Sequence, residues 1–181
     1  MTPEEHDLIF SLVTVPGRET VGSQDDILRH YETADGRALG LRLLQNSVAD
    51  KSSVDLEAAL IVCNAFGVGM EHYGLLAGLV SADWHQQHES AVAMIGSLRI
   101  PESVSVLRHA AIWVPDYLDW DENRALATKA IWALGGTPGL EAKNVLLELY
   151  DIGDEIVREE AKGQLIRRNS APGEFGDSGD S

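Results

Sequence analysis

The chain has 181 residues, 44% of them apolar and 24% charged, which suits one globular domain with a continuous core and excludes wholesale disorder. Its 29 acidic and 14 basic residues give a formal net charge of −15, a field that repels a phosphate backbone and argues against nucleic-acid binding without a local basic patch. The pair Arg167–Arg168 is no such patch and reads as the complement of a helix C-terminus.

Cys63 stands alone, so no intrachain disulfide forms, and it reads as a small buried hydrophobe. No apolar run reaches the roughly 18 residues that a membrane span needs. The first residues lack the basic start and apolar stretch of a signal peptide, and the expected location is cytoplasmic.

Thr2-Pro3-Glu4-Glu5 opens a helix: Thr2 caps, Pro3 fits the first turn, and the acids favour the positive end of the dipole. It should carry Leu8, Ile9, Leu12 and Val13 inward and stop before Pro16-Gly17, with a loop over 18–24. Ser23 and Asp26 have capping-box spacing and open a short helix to about residue 32. Asp35-Gly36 begins a longer helix with Leu39, Leu43 and Leu44, ending near Lys51. Residues 1–53 are thus expected to form an atypical helical N-terminal cap with the pattern of a degenerate repeat.

From 54 to 169 one helical phrase recurs. The stretches 59–67 (ALIVCNAFG), 91–99 (AVAMIGSLR) and 127–135 (ATKAIWALG) align in columns: Ala59, Ala91 and Ala127; Val62, Met94 and Ala130; Cys63, Ile95 and Ile131; Phe66, Leu98 and Leu134. Ala161 and Leu165 continue the second and fourth columns, and the steps between Phe66, Leu98, Leu134 and Leu165 are 32, 36 and 31 residues. Repeats of that length, each with two helical patterns, mark an α-solenoid, so the expected class is all-α.

Each phrase ends in a Gly/Pro turn (67–69, 99–101, 135–139) and is followed by a second helix carrying Leu75, Leu76 and Leu79, then Val104, Leu107 and Ala111, then Leu140, Val145, Leu146 and Leu149. The units run at about 54–85, 86–121 and 122–154, with a half repeat at 155–169 carrying Val157, Ala161 and Leu165 inward. Asp83, Asp119, Asp121, Asp151 and Asp154 stand where helix N-caps are needed. Residues 170–181 are expected to be a solvated, disordered tail.

The pattern Ala127-x-x-Ala130-x-x-x-Leu134-Gly135 resembles the HEAT-like repeat family, and the resemblance covers about 54–169. It implies a helical scaffold of a kind that mostly binds other proteins. Di-iron hydroxylases among the relatives use repeated His-Glu dyads, but here only His88-Glu89 is present and the next copy holds Asn123-Arg124. Nothing marks a bilin site, and the net charge disfavours the glycosylases of this type. No cofactor is expected.

Candidate binding residues cluster at the longest repeat. Trp113, Asp116, Tyr117, Asp119, Trp120, Asp121 and Glu122 bring four acids and three aromatics together within ten residues. This corner reads either as a protein interface, whose carboxylates pair with Arg or Lys of a partner, or as a solvated turn. Trp84 lies one repeat before Trp120, and both read as staples onto the next helix or as recognition groups. Trp132 falls in a column with Asn64, Gly96 and Gly163, and either fills a gap between repeats or sits on a contact surface.

His85 and His88 begin a possible metal site, but zinc needs at least three protein ligands, and the expected reading is a pair of solvated surface histidines. No phosphate loop, nucleophile elbow or Cys–His pairing appears, so no enzymatic function is expected. The leading expectation is an acidic, non-enzymatic scaffold, most specifically an immunity- or antitoxin-like inhibitor of a basic protein. A general adaptor subunit and a HEAT-like metal-dependent or ligand-modifying enzyme are the alternatives.

Overall fold

The structure, a computed structural model, describes residues 1–13, 17 and 21–170. Among these residues there are ten α-helices and no strand. The expected tail lies outside the described residues from 171 onward, as does part of the 18–24 loop.

The helices are α1 (Pro3–Phe10), α2 (Gln24–His30), α3 (Gly36–Asp50), α4 (Ser53–Phe66), α5 (Met70–Leu79), α6 (His88–Leu98), α7 (Val104–Ile112), α8 (Ala125–Gly136), α9 (Leu140–Tyr150) and α10 (Glu155–Ser170). The starts of α1 to α4 follow side-chain capping signals, and Asp154 accepts the Ile156 and Val157 N–H groups at the start of α10. In α5 to α9 the N-cap residue makes no side-chain cap bond, and Asp83, Asp119 and Asp151 do not cap as expected. The Thr2 hydroxyl accepts the Glu5 N–H at 3.2 Å while the Glu5 carboxylate accepts the Thr2 N–H at 2.6 Å, and Ser23 and Asp26 repeat this exchange. Asp35 caps α3 and Ser52 caps α4.

Packing pairs α3 with α4, α5 with α6, α7 with α8 and α9 with α10, while α4, α6, α8 and α10 touch in succession. Small residues let these helices approach. A Cβ on Gly36 would run into the Phe66 ring, and one on Gly96 would lie 2.7 Å from the Ala133 Cβ. The aligned columns supply the core: Ala59, Ala91, Val62, Ala130, Cys63, Ile95, Ile131 and Leu134 are all buried, and each large side chain among them contributes about 1.5–3 kcal/mol. Phe66, Leu98 and Leu165 are only half-buried.

Two expected core positions differ. Val13 is 46% exposed because α1 ends at Phe10, so helical register no longer carries it inward. Leu140 is 67% exposed because it is the first residue of α9, directly after Gly139 at φ 96°.

At the N-terminus, α1 is pinned to α4 through Asp55. Its carboxylate meets His6 Nε2 at 2.7 Å and the terminal ammonium at 3.2 Å. Burial opposes ionisation of this carboxyl, but the bonds from His6, the terminus and Ser52 outweigh it and hold Asp55 below the usual range.

Candidate functional site: an acidic aromatic cleft

The loop between α5 and α6 and the turn between α7 and α8 come together to form a cleft of about 630 Å³. The α5–α6 loop brings Asp83, Trp84 and His85, with His88 opening α6. The following turn brings Trp113, Pro115, Asp116 and Tyr117, the last two in a 3-10 turn over Asp116–Leu118. Glu57 on α4 also lines the cleft.

The two histidines are buried, not solvated as expected, with 4% and 1% exposure at His85 and His88. The reason is that Trp113 and Tyr117, from the turn after α7, fold over His88, and His85 is packed between His88 and Trp84. Tyr117 stacks on His88 at 5.5 Å between ring centroids, Trp113 meets the same imidazole edge-on at 5.2 Å, and His85 lies 4.5 Å from His88.

Hydrogen bonds fix both rings. His88 Nε2 donates to the Ala82 carbonyl at 2.8 Å, and Nδ1 lies 3.0 Å from the Tyr117 hydroxyl, which itself reaches the Gln86 carbonyl at 3.1 Å. His85 Nδ1 accepts the Gln87 N–H at 3.0 Å, and its buried Nε2 has no hydrogen-bond partner among the described residues.

Burial lowers the pKa of His88, opposed by the Ala82 carbonyl. At His85 burial first, and then the neighbouring His88, push it down to about 4. Both imidazoles are therefore neutral near pH 7. Burial also raises the Tyr117 phenol. Cys63, in the core away from the cleft, is pushed up to about 12 by burial, which leaves it a poor nucleophile.

The sequence-selected residues divide into three groups. Trp84, Trp113, Asp116 and Tyr117 line the cleft. Beside it lie Asp119, Trp120, Asp121 and Glu122. Trp120 is 78% exposed, with its indole N–H donated to the Tyr117 carbonyl at 2.8 Å, so it is no staple, unlike the half-buried Trp84 that packs against the core. Asp121 is structural: its carboxylate accepts the N–H groups of Asn123 at 3.0 Å and Ala125 at 2.7 Å, at the start of α8.

Trp132 lines neither this cleft nor the groove beside it. It joins α8 to α10, donating its indole N–H to Glu160 at 2.7 Å and lying under the Arg167 guanidinium at 4.4 Å.

Glu57 and His109 escaped the sequence reading. Glu57 reaches the cleft only through tertiary packing, so no linear signal marks it. His109 stacks on Trp113 at 5.4 Å, and their spacing of four, running from the last turn of α7 to its C-cap, was a legible signal.

Glu57 and Gln87 also border a larger groove of about 1040 Å³, lined by α4 and α6 side chains that include the apolar Leu60, Ile61, Ala93 and Met94. Glu89 on its wall is already paired with Lys129 at 2.8 Å. Among the described residues, no cluster of three or more His, Cys, Asp or Glu is placed to hold a metal ion. No helix there is long and apolar enough to cross a membrane.

No protein-family model, curated protein or solved structure matches this chain.

Proposed function

We propose that this chain is a HEAT-like α-solenoid that binds a basic protein and occludes it, in the manner of an immunity or antitoxin-like inhibitor. The solenoid reading is supported by the succession of α4, α6, α8 and α10 in contact. The binding reading rests on one observation: Trp120 is 78% exposed yet tethered by its indole N–H, with the carboxylates of Asp119 and Glu122 exposed beside it in the sequence. A large, pre-ordered aromatic surface loses little entropy on binding, and the surrounding acids speed encounter with a cationic partner. The net charge of −15 extends that attraction over the whole chain.

The test is affinity purification of the tagged full chain from its native host, washed at low and high salt, alongside a variant carrying Trp120→Ala, Asp119→Lys and Glu122→Lys. Asp121 is left intact because it caps α8. A single basic protein held in stoichiometric amount, released by salt and lost from the variant at unchanged helical content, is the expected result. Equal retention by the variant, or no basic protein at low salt, overturns the proposal. A salt-insensitive complex of several subunits would make the chain an adaptor instead.

A further inference from the structure

We propose that the cleft between the α5–α6 loop and the 113–117 turn is a binding site for a guanidinium group, and that its natural ligand is an arginine side chain. The natural source of that arginine rests on the reading of a basic protein partner; the chemistry of the cleft stands by itself.

The first argument is unbalanced charge. Glu57, Asp83 and Asp116 border the cleft, and no Lys or Arg does. None of the three makes an ion pair among the described residues, whereas Asp55, Glu89, Glu148 and Asp154 each have a cationic partner. His85 and His88 do not supply the missing charge, since burial keeps both neutral near pH 7. Glu57, Asp83 and Asp116 are all exposed, so together they set a negative potential at the mouth of the cleft that draws a cation toward it.

The second argument is the lining. Trp84, Trp113 and Tyr117 give the walls aromatic surface. His88 stacks on one face of Tyr117 and His109 on one face of Trp113, which leaves the opposite faces and the Trp84 ring to attract a cation. The volume, about 630 Å³, lies within the range of ordinary ligand pockets and admits a long side chain.

The third argument separates guanidinium from ammonium and metal. A guanidinium is planar, weakly hydrated and able to stack on a ring while its edge donates to carboxylates; an ammonium is compact and strongly hydrated. The chain already contains such an arrangement internally, where Arg167 lies 4.4 Å above Trp132 and the same indole is anchored by Glu160. A metal ion would need close-set ligands, and none are so placed among the described residues.

The experiment is titration of the full chain with N-acetyl-arginine amide, followed by tryptophan fluorescence and by calorimetry. N-acetyl-citrulline amide serves as the neutral isostere and N-acetyl-lysine amide as the ammonium. Saturable binding of the arginine compound in the low millimolar range, weaker for lysine and absent for citrulline, is expected. The double variant Glu57→Gln, Asp116→Asn should weaken it about tenfold or more, and it should melt like the wild type because both side chains are exposed.

Equal affinity for arginine and citrulline, no saturable arginine binding, or full affinity in the double variant overturns the assignment. Arginine binding that survives when no basic protein is captured leaves the cleft assignment standing and removes only the protein-binding reading. Capture of a basic protein without arginine binding does the reverse.

Discussion

The Tyr117 hydroxyl lies 3.0 Å from His88 Nδ1 and 3.1 Å from the Gln86 carbonyl, so one phenol ties the 3-10 turn after α7 to the start of α6. It has a single proton to share between two acceptors. While His88 is neutral with Nε2–H on Ala82, Nδ1 is an acceptor, and the hydroxyl proton belongs there. When His88 is protonated, Nδ1–H donates to the phenol oxygen and the hydroxyl proton turns to Gln86. The hydrogen bonds thus rearrange with the state of the imidazole, and the cost of protonating it lies in the burial of its charge.

Tyr117→Phe removes this link and leaves Nδ1 of a nearly inaccessible imidazole without its partner. The expected cost is about 1–2 kcal/mol, within the range for stranding a buried polar group. Urea unfolding followed by circular dichroism should show the midpoint fall with little change in slope. The ring itself stays, so the stacking on His88 at 5.5 Å should persist. An unchanged midpoint would show that the hydroxyl bonds contribute nothing net.

Acid should weaken the fold through the same pair. Both imidazoles have folded pKa values below the ordinary 6.5, His85 at about 4, because burial penalises the charged ring. The unfolded chain therefore binds more protons than the folded one between these values. This contribution is fully present above pH 6.5 and is lost progressively as pH falls toward 4. For His85 alone the loss amounts to at most about 3 kcal/mol. Urea midpoints measured from pH 8 to pH 4 should decline across that window, and His85→Gln should flatten the decline. A wild-type midpoint constant down to pH 5 would contradict the burial argument. Asp55, with its pKa held low, adds a separate loss only in the carboxylate range below this window.

The helical class was legible because the apolar columns repeat at helical spacing and the openings at Thr2, Ser23 and Asp35 are local signals that need no tertiary information. The cleft was legible only in part. Trp113, Asp116 and Tyr117 stood out as aromatics and acids in one corner and Trp84 in the corner before it, but their meeting depends on how far one inter-helix loop folds over the next. That relation fixed the burial of His85 and His88 and was invisible along the chain, where both residues sit in a polar stretch. Trp84 and Trp120 show the same limit: they are one repeat apart, yet Trp84 packs on the core while Trp120 is 78% exposed. The turn before Trp120 runs through an inserted 3-10 segment, Asp116–Leu118, that the α5–α6 loop lacks. Glu57 had no signal at all, since one glutamate on a helix face is indistinguishable from any other until packing places it.

Arg168 provides a test of how the C-terminal helix holds its neighbour. Its guanidinium donates to the carbonyls of Leu134 at 3.0 Å, Thr137 at 2.5 Å and Gly139 at 3.1 Å, and so it caps the end of α8 from α10. The sequence suggested a basic residue complementing a helix C-terminus; the helix it serves is the neighbour's, not its own. Arg168→Ala leaves three carbonyls without their donor and should cost about 2 kcal/mol, the usual worth of a hydrogen bond to a charged group. Arg168→Lys should recover little of this, because a single ammonium cannot span carbonyls on both sides of the turn as the planar fork does. Urea unfolding should place the two variants close together and below the wild type, with amide exchange faster at the end of α8. Full recovery by lysine would mean that charge at the helix terminus, and not the forked geometry, carries the stabilisation.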